Sequence, residues 1–333
     1  MAAPAGSEAL RAAVRASHAT EAPDVQAVAA SVAKACGPSL AALIFFGSRK
    51  TRALPDEFSA YDFFVLTDDY SAIYRSLHAS GALHRTPWLM AALNAVLPPN
   101  VISVRPPRAG SPASWRAKCA VASVECFRRE TSPRRHDHFF LGRLFQPAQV
   151  MHAADAAVRE QVIDGLVSAH ALTYAWVRPW LPARFDVETY CRTLLRVSLG
   201  REIRPEPAGR ADALWEAQKD DLAPVYGILL ADLARAGELA EQAGAYALAR
   251  PVTAAERLRV NAYFTRSLVR ATARWAKYIV TFDGWLEYIL RKARRHSGQD
   301  IVLTPRERRM PLVFLWPRVI RYLRHKDKQG RGA

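Results

Sequence analysis

Two short stretches combine residue types suited to handling phosphate. In residues 41–48, AALIFFGS, an apolar run ends in Gly47-Ser48. In residues 61–67, YDFFVLT, one carboxylate, Asp62, heads a second apolar run. Glycine has no side chain, so its backbone can approach a phosphate closely. Ser48 offers a hydroxyl and a backbone N–H to a triphosphate. A carboxylate among apolar residues is costly to bury alone. A bound Mg²⁺ would justify it, because Mg²⁺ takes carboxylate and phosphate oxygens together. The same residues also read as an ordinary turn and a strand-end carboxylate. The succession of apolar strand, Gly-Ser, polar loop and Asp-led apolar strand points to nucleotide chemistry.

The surrounding sequence says which elements must hold these residues. Residues 41–47 and 61–67 read as buried strands joined by a polar loop containing Pro55. Residues 8–36 read as helix, with Pro23 marking a break or a start. Residues 70–96 read as one or two helices broken near Pro87. Residues 99–105 and 118–127 read as further strands, and 128–138 as a charged loop or helix start. From about 139 the pattern is mainly helical, with a linker at 201–212 and long helical stretches at 213–248 and 254–276. This order predicts an α+β chain, a small mixed sheet with helices followed by a helical region.

Composition narrows the partners. The chain has 333 residues, enough for two domains. Lys and Arg number 47 against 31 Asp and Glu, a net charge of +16, which implies an anionic partner: nucleic acid, a phosphate-rich substrate or an acidic membrane. The four cysteines form no CxxC pair, so no zinc site is expected and a reducing compartment is the default. No apolar run is long enough to span a membrane, and the N-terminus lacks the apolar core of a secretory signal.

The Gly-Ser, spacer, Asp pattern resembles the polymerase-β-like nucleotidyltransferases, which usually carry Asp-x-Asp where this chain has Ala60 and Asp62. Losing one of two metal ligands weakens two-metal catalysis. One branch is similar in having a single leading Asp: the mitochondrial translocator assembly and maintenance family of phosphatidate cytidylyltransferases. Further segments resemble that family in order along residues 41–230: Asp68-Asp69, LPPNVISV, the Lys118-led KCAVASV, FFLGRLFQPAQVM with Gly142, Arg143 and Pro147, LPARFDVETY, and PVYGILL. Ala60, Gln146 in place of the family's usual Lys, and the last hundred residues depart from it.

The resemblance implies a polymerase-β-like nucleotidyltransferase domain over 1–138, a winged-helix-like domain over 139–250 and a C-terminal helical region over 251–333. It implies transfer of CMP from CTP to phosphatidic acid, giving CDP-diacylglycerol and pyrophosphate, with Mg²⁺. Gly47, Ser48 and Arg49 would hold the triphosphate, Asp62 would bind the metal, Lys118 would neutralise phosphate charge and Arg143 would clamp phosphate. Lys118 and Arg143 also read as a solvated strand start and a surface helix residue. Arg49, Lys50 and Arg52 either meet phosphate or form a solvated charged loop. A second metal carboxylate is wanted. Glu125, in the run VASVECF, and Asp68 or Asp69 are the candidates, although the Asp pair also suits the cap of a helix beginning near Tyr70. His136 and His138 read as polar loop residues.

Residues 282–328 are apolar and strongly basic. Leu312, Leu315, Trp316, Val319, Ile320 and Leu323 recur at helical spacing beside Arg318, Arg321, Arg324 and Lys328. That combination suits an amphipathic helix on an anionic membrane, or a terminal helix docked on the protein. The expected location is peripheral, on the cytoplasmic face of a bacterial inner membrane or the matrix face of the mitochondrial one. A homodimer is compatible with this reading and nucleic acid is not the expected partner. Two alternatives remain: a nucleotidyltransferase acting on RNA or another acceptor, and a non-catalytic member that binds nucleotide or membrane.

Overall fold

The computed structural model describes residues 7–16, 23–50, 60–104, 117–201, 209–242, 244–282 and 303–309. The first half is built on a five-stranded sheet. Its strands are β1 (Ala42–Phe46), β2 (Tyr61–Thr67), β3 (Asn100–Val104), β4 (Ala117–Ser123) and β5 (Gln149–Ala153). They lie in the order β3-β4-β2-β1-β5, with β2 and β4 parallel and every other pair antiparallel. The central strands are apolar on both sides because helices cover both faces.

One face carries Tyr61, Phe63 and Val65 against Val25, Val28 and Val32 of α2 (Pro23–Cys36), Ile73 and Leu77 of α3 (Tyr70–Ala79) and Met90 of α4 (Pro87–Val96). Pro23 and Pro87 each open their helix, where a missing N–H costs nothing. The other face carries Phe46 and Phe64, whose rings stack 4.4 Å apart, with Phe140 stacked 4.8 Å from Phe64. Phe140 immediately precedes the short helix α6 (Leu141–Leu144), which follows α5 (Val124–Glu130). The N-terminal helix α1 (Glu8–Ala16) completes this part.

The second half contains α7 (Ala156–Ala171), α8 (Thr173–Val177), β6 (Arg184–Phe185), α9 (Val187–Gly200), α10 (Arg210–Arg235) and the hairpin β7 (Leu239–Gln242) and β8 (Ala245–Leu248). A three-stranded sheet runs in the order β6-β8-β7. Trp176, Tyr190 and Tyr226 fill the core here, and the Tyr226 hydroxyl donates to the carbonyl of Phe145 at 2.8 Å. The long helix α11 (Ala254–Thr281) then returns to the first sheet. Its Thr281 hydroxyl donates to Val101 O in β3 at 3.2 Å, and Lys277 donates to the carbonyls of Leu93 in the last turn of α4 and of Leu97 and Pro99 just beyond it. At the other end, Ser7 donates to Asp232 at 2.5 Å and Arg11 pairs with Glu160 and Asp164, fastening α1 to α10 and α7.

The chain divides into two compact units, Met1–Thr281 and Phe282–Ala333. In the second, Pro305–Arg309 forms a short helix, α12, opened by a capping box in which Glu307 accepts from Thr304 N at 2.8 Å. The rest of the basic segment 282–328 lies outside the described residues, as do the 51–59 loop with Arg52 and the 105–116 connection.

Three sequence expectations change. The strand expected over 118–127 ends at Ser123, whose hydroxyl accepts from Cys126 N at 3.0 Å and starts α5 instead. Within the expected helical stretch after 139, residues 149–153 form β5, because the edge of β1 offers them a ladder. The helix expected over 213–248 stops at Arg235, and Gly237 and Gly244, both with φ of 74°, allow the turns that enter and close a hairpin.

Candidate functional site

Four adjacent strands bring one residue each to a common row. Asp62 near the start of β2 lies opposite Phe46 of β1 and beside Lys118 of β4, and Lys118 lies opposite Ser103 of β3. Directly paired residues project to the same face of a sheet, so Ser103, Lys118 and Asp62 share the face that carries Phe46 and Phe64. Lys118 Nζ stands 3.7 Å from Asp62 Oδ1, and the two side chains are 15% and 22% exposed. That distance is an ion pair rather than a hydrogen bond. The pair is partly accessible, so a third charged group could join it.

β1 ends at this row. Gly47 follows Phe46 with φ of +89°, and Lys50 N donates to Gly47 O at 3.0 Å to close a turn. A Cβ at Gly47 would lie 2.6 Å from Asp62 Oδ2. The position therefore requires glycine twice over, for its backbone angle and for the space beside the carboxylate. Ser48 is in the same turn and half-buried.

The other candidate residues are not all brought to the row. The Arg49 guanidinium lies 4.2 Å over the Tyr61 ring and 3.9 Å from Asp24. Tyr61 belongs to the α2 face, so Arg49 turns away from the Asp62 side. Arg143 stays on the Asp62 side: its guanidinium sits 4.0 Å over the Phe139 ring and donates to Phe139 O at 2.7 Å, and Phe139 meets Phe64 edge-on at 6.1 Å. Glu125 lies exposed in the first turn of α5. At about 3.3 Å per residue, Lys118 and Ser123 are about 17 Å apart along β4, so Glu125 sits past the far end of the sheet from Asp62. Asp68 and Asp69 follow the same far end of β2, and Asp69 caps α3 by accepting from Ser71 N and Ala72 N. The single-carboxylate character of the row therefore stands among the described residues.

His136 and His138 also have local partners. His136 Nδ1 is 2.7 Å from Glu130 Oε1. His138 Nδ1 is 3.0 Å from the Tyr263 hydroxyl and its Nε2 is 3.2 Å from Ser198 Oγ, with the ring edge-on to Trp176.

Behind Phe139 is a buried charge cluster that sequence reading missed. Asp137 Oδ2 accepts from Arg274 at 2.7 Å and from Arg270 at 2.8 Å. Asp137 and Arg274 are almost fully buried, and the Arg274 guanidinium also lies 4.9 Å from the Phe139 ring. Burial alone would push the Asp137 carboxyl up. The Arg274 charge, with hydrogen bonds from Arg274, Arg270 and Phe139 N, outweighs it and holds the carboxyl down at about 2. The available signal was the four-residue spacing of Arg266, Arg270 and Arg274, which puts three cations on one helix face. Ser103 had no signal beyond its place in a short apolar run.

Among the described residues, no group of three or more His, Cys, Asp or Glu side chains could hold a metal by itself. The row does fit Mg²⁺ in a narrower sense. Gly47 leaves a cradle beside Asp62 Oδ2 that a Cβ would fill, and Mg²⁺ accepts one carboxylate when phosphate oxygens and water complete its shell. No helix among the described residues is long and apolar enough to cross a membrane.

No protein-family model matches the chain, and no curated protein matches it.

Proposed function

We propose that the chain is a nucleotidyltransferase that moves CMP from CTP to phosphatidic acid, releasing pyrophosphate. The observation that carries this reading is the row itself: one carboxylate, Asp62, held between a side-chain-free turn at Gly47 and the ammonium of Lys118. A phosphate chain needs backbone access, a cation and a metal-binding carboxylate within a few ångströms, and the row offers all three. The sheet order supports the polymerase-β-like part of the reading, with the candidate residues on adjacent central strands. The run of helices, a short strand, two helices and a hairpin over 156–248 supports the winged-helix-like part. CTP and phosphatidic acid come from the family resemblance, as does the peripheral membrane location.

In the proposed reaction an oxygen of the acceptor phosphate forms a bond to the α-phosphorus of CTP. The bond from that phosphorus to the α–β bridging oxygen breaks, and pyrophosphate leaves with its electrons. The attacking oxygen is already anionic, so no strong base is required. Lys118 lowers the charge repulsion between the two phosphates, and the Gly47-Ser48 turn holds the triphosphate by its backbone. Asp62 would hold Mg²⁺, which supplies charge neutralisation on the triphosphate when bound. Arg143 would act on the same side of the sheet.

The test is product formation from CTP and phosphatidic-acid liposomes with Mg²⁺, comparing the wild-type chain with Asp62→Ala. CDP-diacylglycerol from the wild type and none from the variant is the expected result. Absence of product with every nucleotide, from folded protein, would falsify the reading in favour of a binding role. Product with an RNA acceptor and none with lipid would move the acceptor.

A further inference from the structure

A cavity lies in the helical half, lined by none of the residues of the row. It has a volume of about 420 Å³ and opens between α8, the end of α10, the first half of α11 and residues 133–135. That volume is in the range of small-molecule sites. Its inner wall is apolar and buried: Leu172, Trp176, Leu233 and Val260. Its rim is basic. Arg259, Tyr263 and Arg266 fall on one face of α11, and the Arg135 guanidinium lies 4.7 Å over the Tyr263 ring. Arg266 donates to the backbone carbonyl of Arg135 at 2.9 Å, which holds the two cations together. None of Arg135, Arg259 and Arg266 forms an ion pair among the described residues.

Four of the side chains lining this cavity carry a buried polar atom without a hydrogen-bond partner: Trp176 Nε1, Arg135 Nε, Arg178 Nε and Glu238 Oε2. These atoms have almost no accessible surface, so recognition within the cavity falls to the rim cations and the apolar wall. Arg178 and Glu256, also in the wall, pair at 2.6 Å, and Glu238 adds one carboxylate without an ion pair among the described residues, so Arg135, Arg259 and Arg266 leave the lining with a net positive charge.

We propose that this cavity binds a small amphipathic anion, an apolar body carrying a phosphate-like headgroup. The apolar body lies on Leu172, Trp176, Leu233 and Val260, and the headgroup meets Arg135, Arg259 and Arg266. The site is separate from the Asp62 row and does not depend on nucleotidyl transfer.

The test uses the full chain and titrates octyl phosphate, inorganic phosphate and 1-octanol by calorimetry. Octyl phosphate is expected to bind in a one-to-one ratio, at least about tenfold tighter than either half alone, because each half supplies only part of the contact. Ala175→Trp narrows the cavity from an exposed helix position, and Arg266→Gln removes an exposed rim cation, so both variants keep the core intact. Each is expected to weaken octyl phosphate by about tenfold, the size of one charged hydrogen bond or a lost apolar contact. Asp62→Asn is expected to leave that affinity within about twofold, since distant sites act independently. Binding that survives both cavity variants, or inorganic phosphate binding as tightly as octyl phosphate, would overturn the proposal. So would the absence of any octyl phosphate binding.

Discussion

Gly47 and Asp62 are built around each other: a Cβ on the glycine would stand 2.6 Å from one carboxylate oxygen of the aspartate. The backbone at Gly47, with φ of +89°, forbids the same substitution independently. Gly47→Ala is therefore expected to push the Asp62 carboxylate out of its position or open the turn after β1. Stability should fall by about 1–2 kcal/mol from the left-handed backbone alone. Nucleotidyl transfer should fall further than stability, by about tenfold or more, because displacement of a reacting group by about 1 Å is costly. Urea unfolding and pyrophosphate release, measured on the same preparation, separate the two effects. An alanine variant with full activity would remove the close approach as a requirement.

Lys118 tests the electrostatic part of the proposed reaction. Its pair with Asp62 is partly solvated at 3.7 Å, so Lys118→Met should change folding stability by less than about 1 kcal/mol. Its effect on the transferring phosphates should be larger, about 100-fold in kcat, the usual loss for one preorganised charge or donor. Lys118→Arg should recover part of the rate because it restores the charge at a different length. Equal losses in the Met and Arg variants would argue for packing instead of charge. Parallel measurement of KM shows whether the ammonium acts on bound substrate or on the transition state.

The Asp137–Arg274 pair is expected to contribute to the acid sensitivity of the fold, alongside Glu256, whose carboxyl the Thr253 N–H and the nearby Arg250 and Arg178 hold down at about 2. The Asp137 carboxyl is held at about 2, below its ordinary value of 3.8. A group with a lowered folded-state pKa contributes stability that is complete above the unfolded value and lost as pH falls through the folded one. The window is therefore about pH 4 down to pH 2, and the contribution is about 2 kcal/mol. Asp137→Asn should flatten the stability profile in that window. At pH 7 it should also destabilise by about 3–5 kcal/mol, because Arg274 would be left buried without its carboxylate. Denaturant melts at a series of pH values read both quantities. A variant whose acid slope matches wild type would show that other carboxylates set the acid sensitivity.

Gly165 in α7 probes the packing behind the row. A Cβ there would lie 2.3 Å from Phe127 Cε1 and 3.1 Å from Thr131 Oγ1. Phe127 is itself buried against Phe140, which stacks on Phe64 of β2. Alanine gains about 1 kcal/mol of helix propensity over glycine. Overpacking a filled core costs about 1–3 kcal/mol. With the clash this close, Gly165→Ala should be net destabilising, read as a lower melting temperature. A higher melting temperature would mean that Phe127 can move aside without disturbing α5.

Local signals carried much of the fold into the sequence. The apolar run 61–67 coincides with β2, and Pro23 and Pro87 open α2 and α4. The Gly-Ser turn after β1 and the Asp69 cap of α3 were legible for the same reason. Each depends on the conformational preferences of a few neighbouring residues, which a short stretch of sequence contains. The +16 charge is likewise a sequence property, and the expectation of an anionic partner rests on it.

What the sequence could not contain is the choice of neighbours. Strand periodicity says which residues share a face, but not which strand pairs with which. The parallel pairing of β2 with β4 put Lys118 beside Asp62 and Ser103 beyond it. The same tertiary choice turned residues 149–153 into an edge strand on β1. Glu125 lies away from the row because the pairing aligns Asp62 with Lys118 and leaves Glu125 past the far end of β4, in the helix that Ser123 caps. Arg49 was drawn to Tyr61 and Asp24 on the opposite face. Asp137, Arg270 and Arg274 became a buried cluster only because α11 folds back over the first half of the chain. Pairing, burial and charge compensation are properties of residues far apart along the chain, and they exist only once the chain has closed on itself.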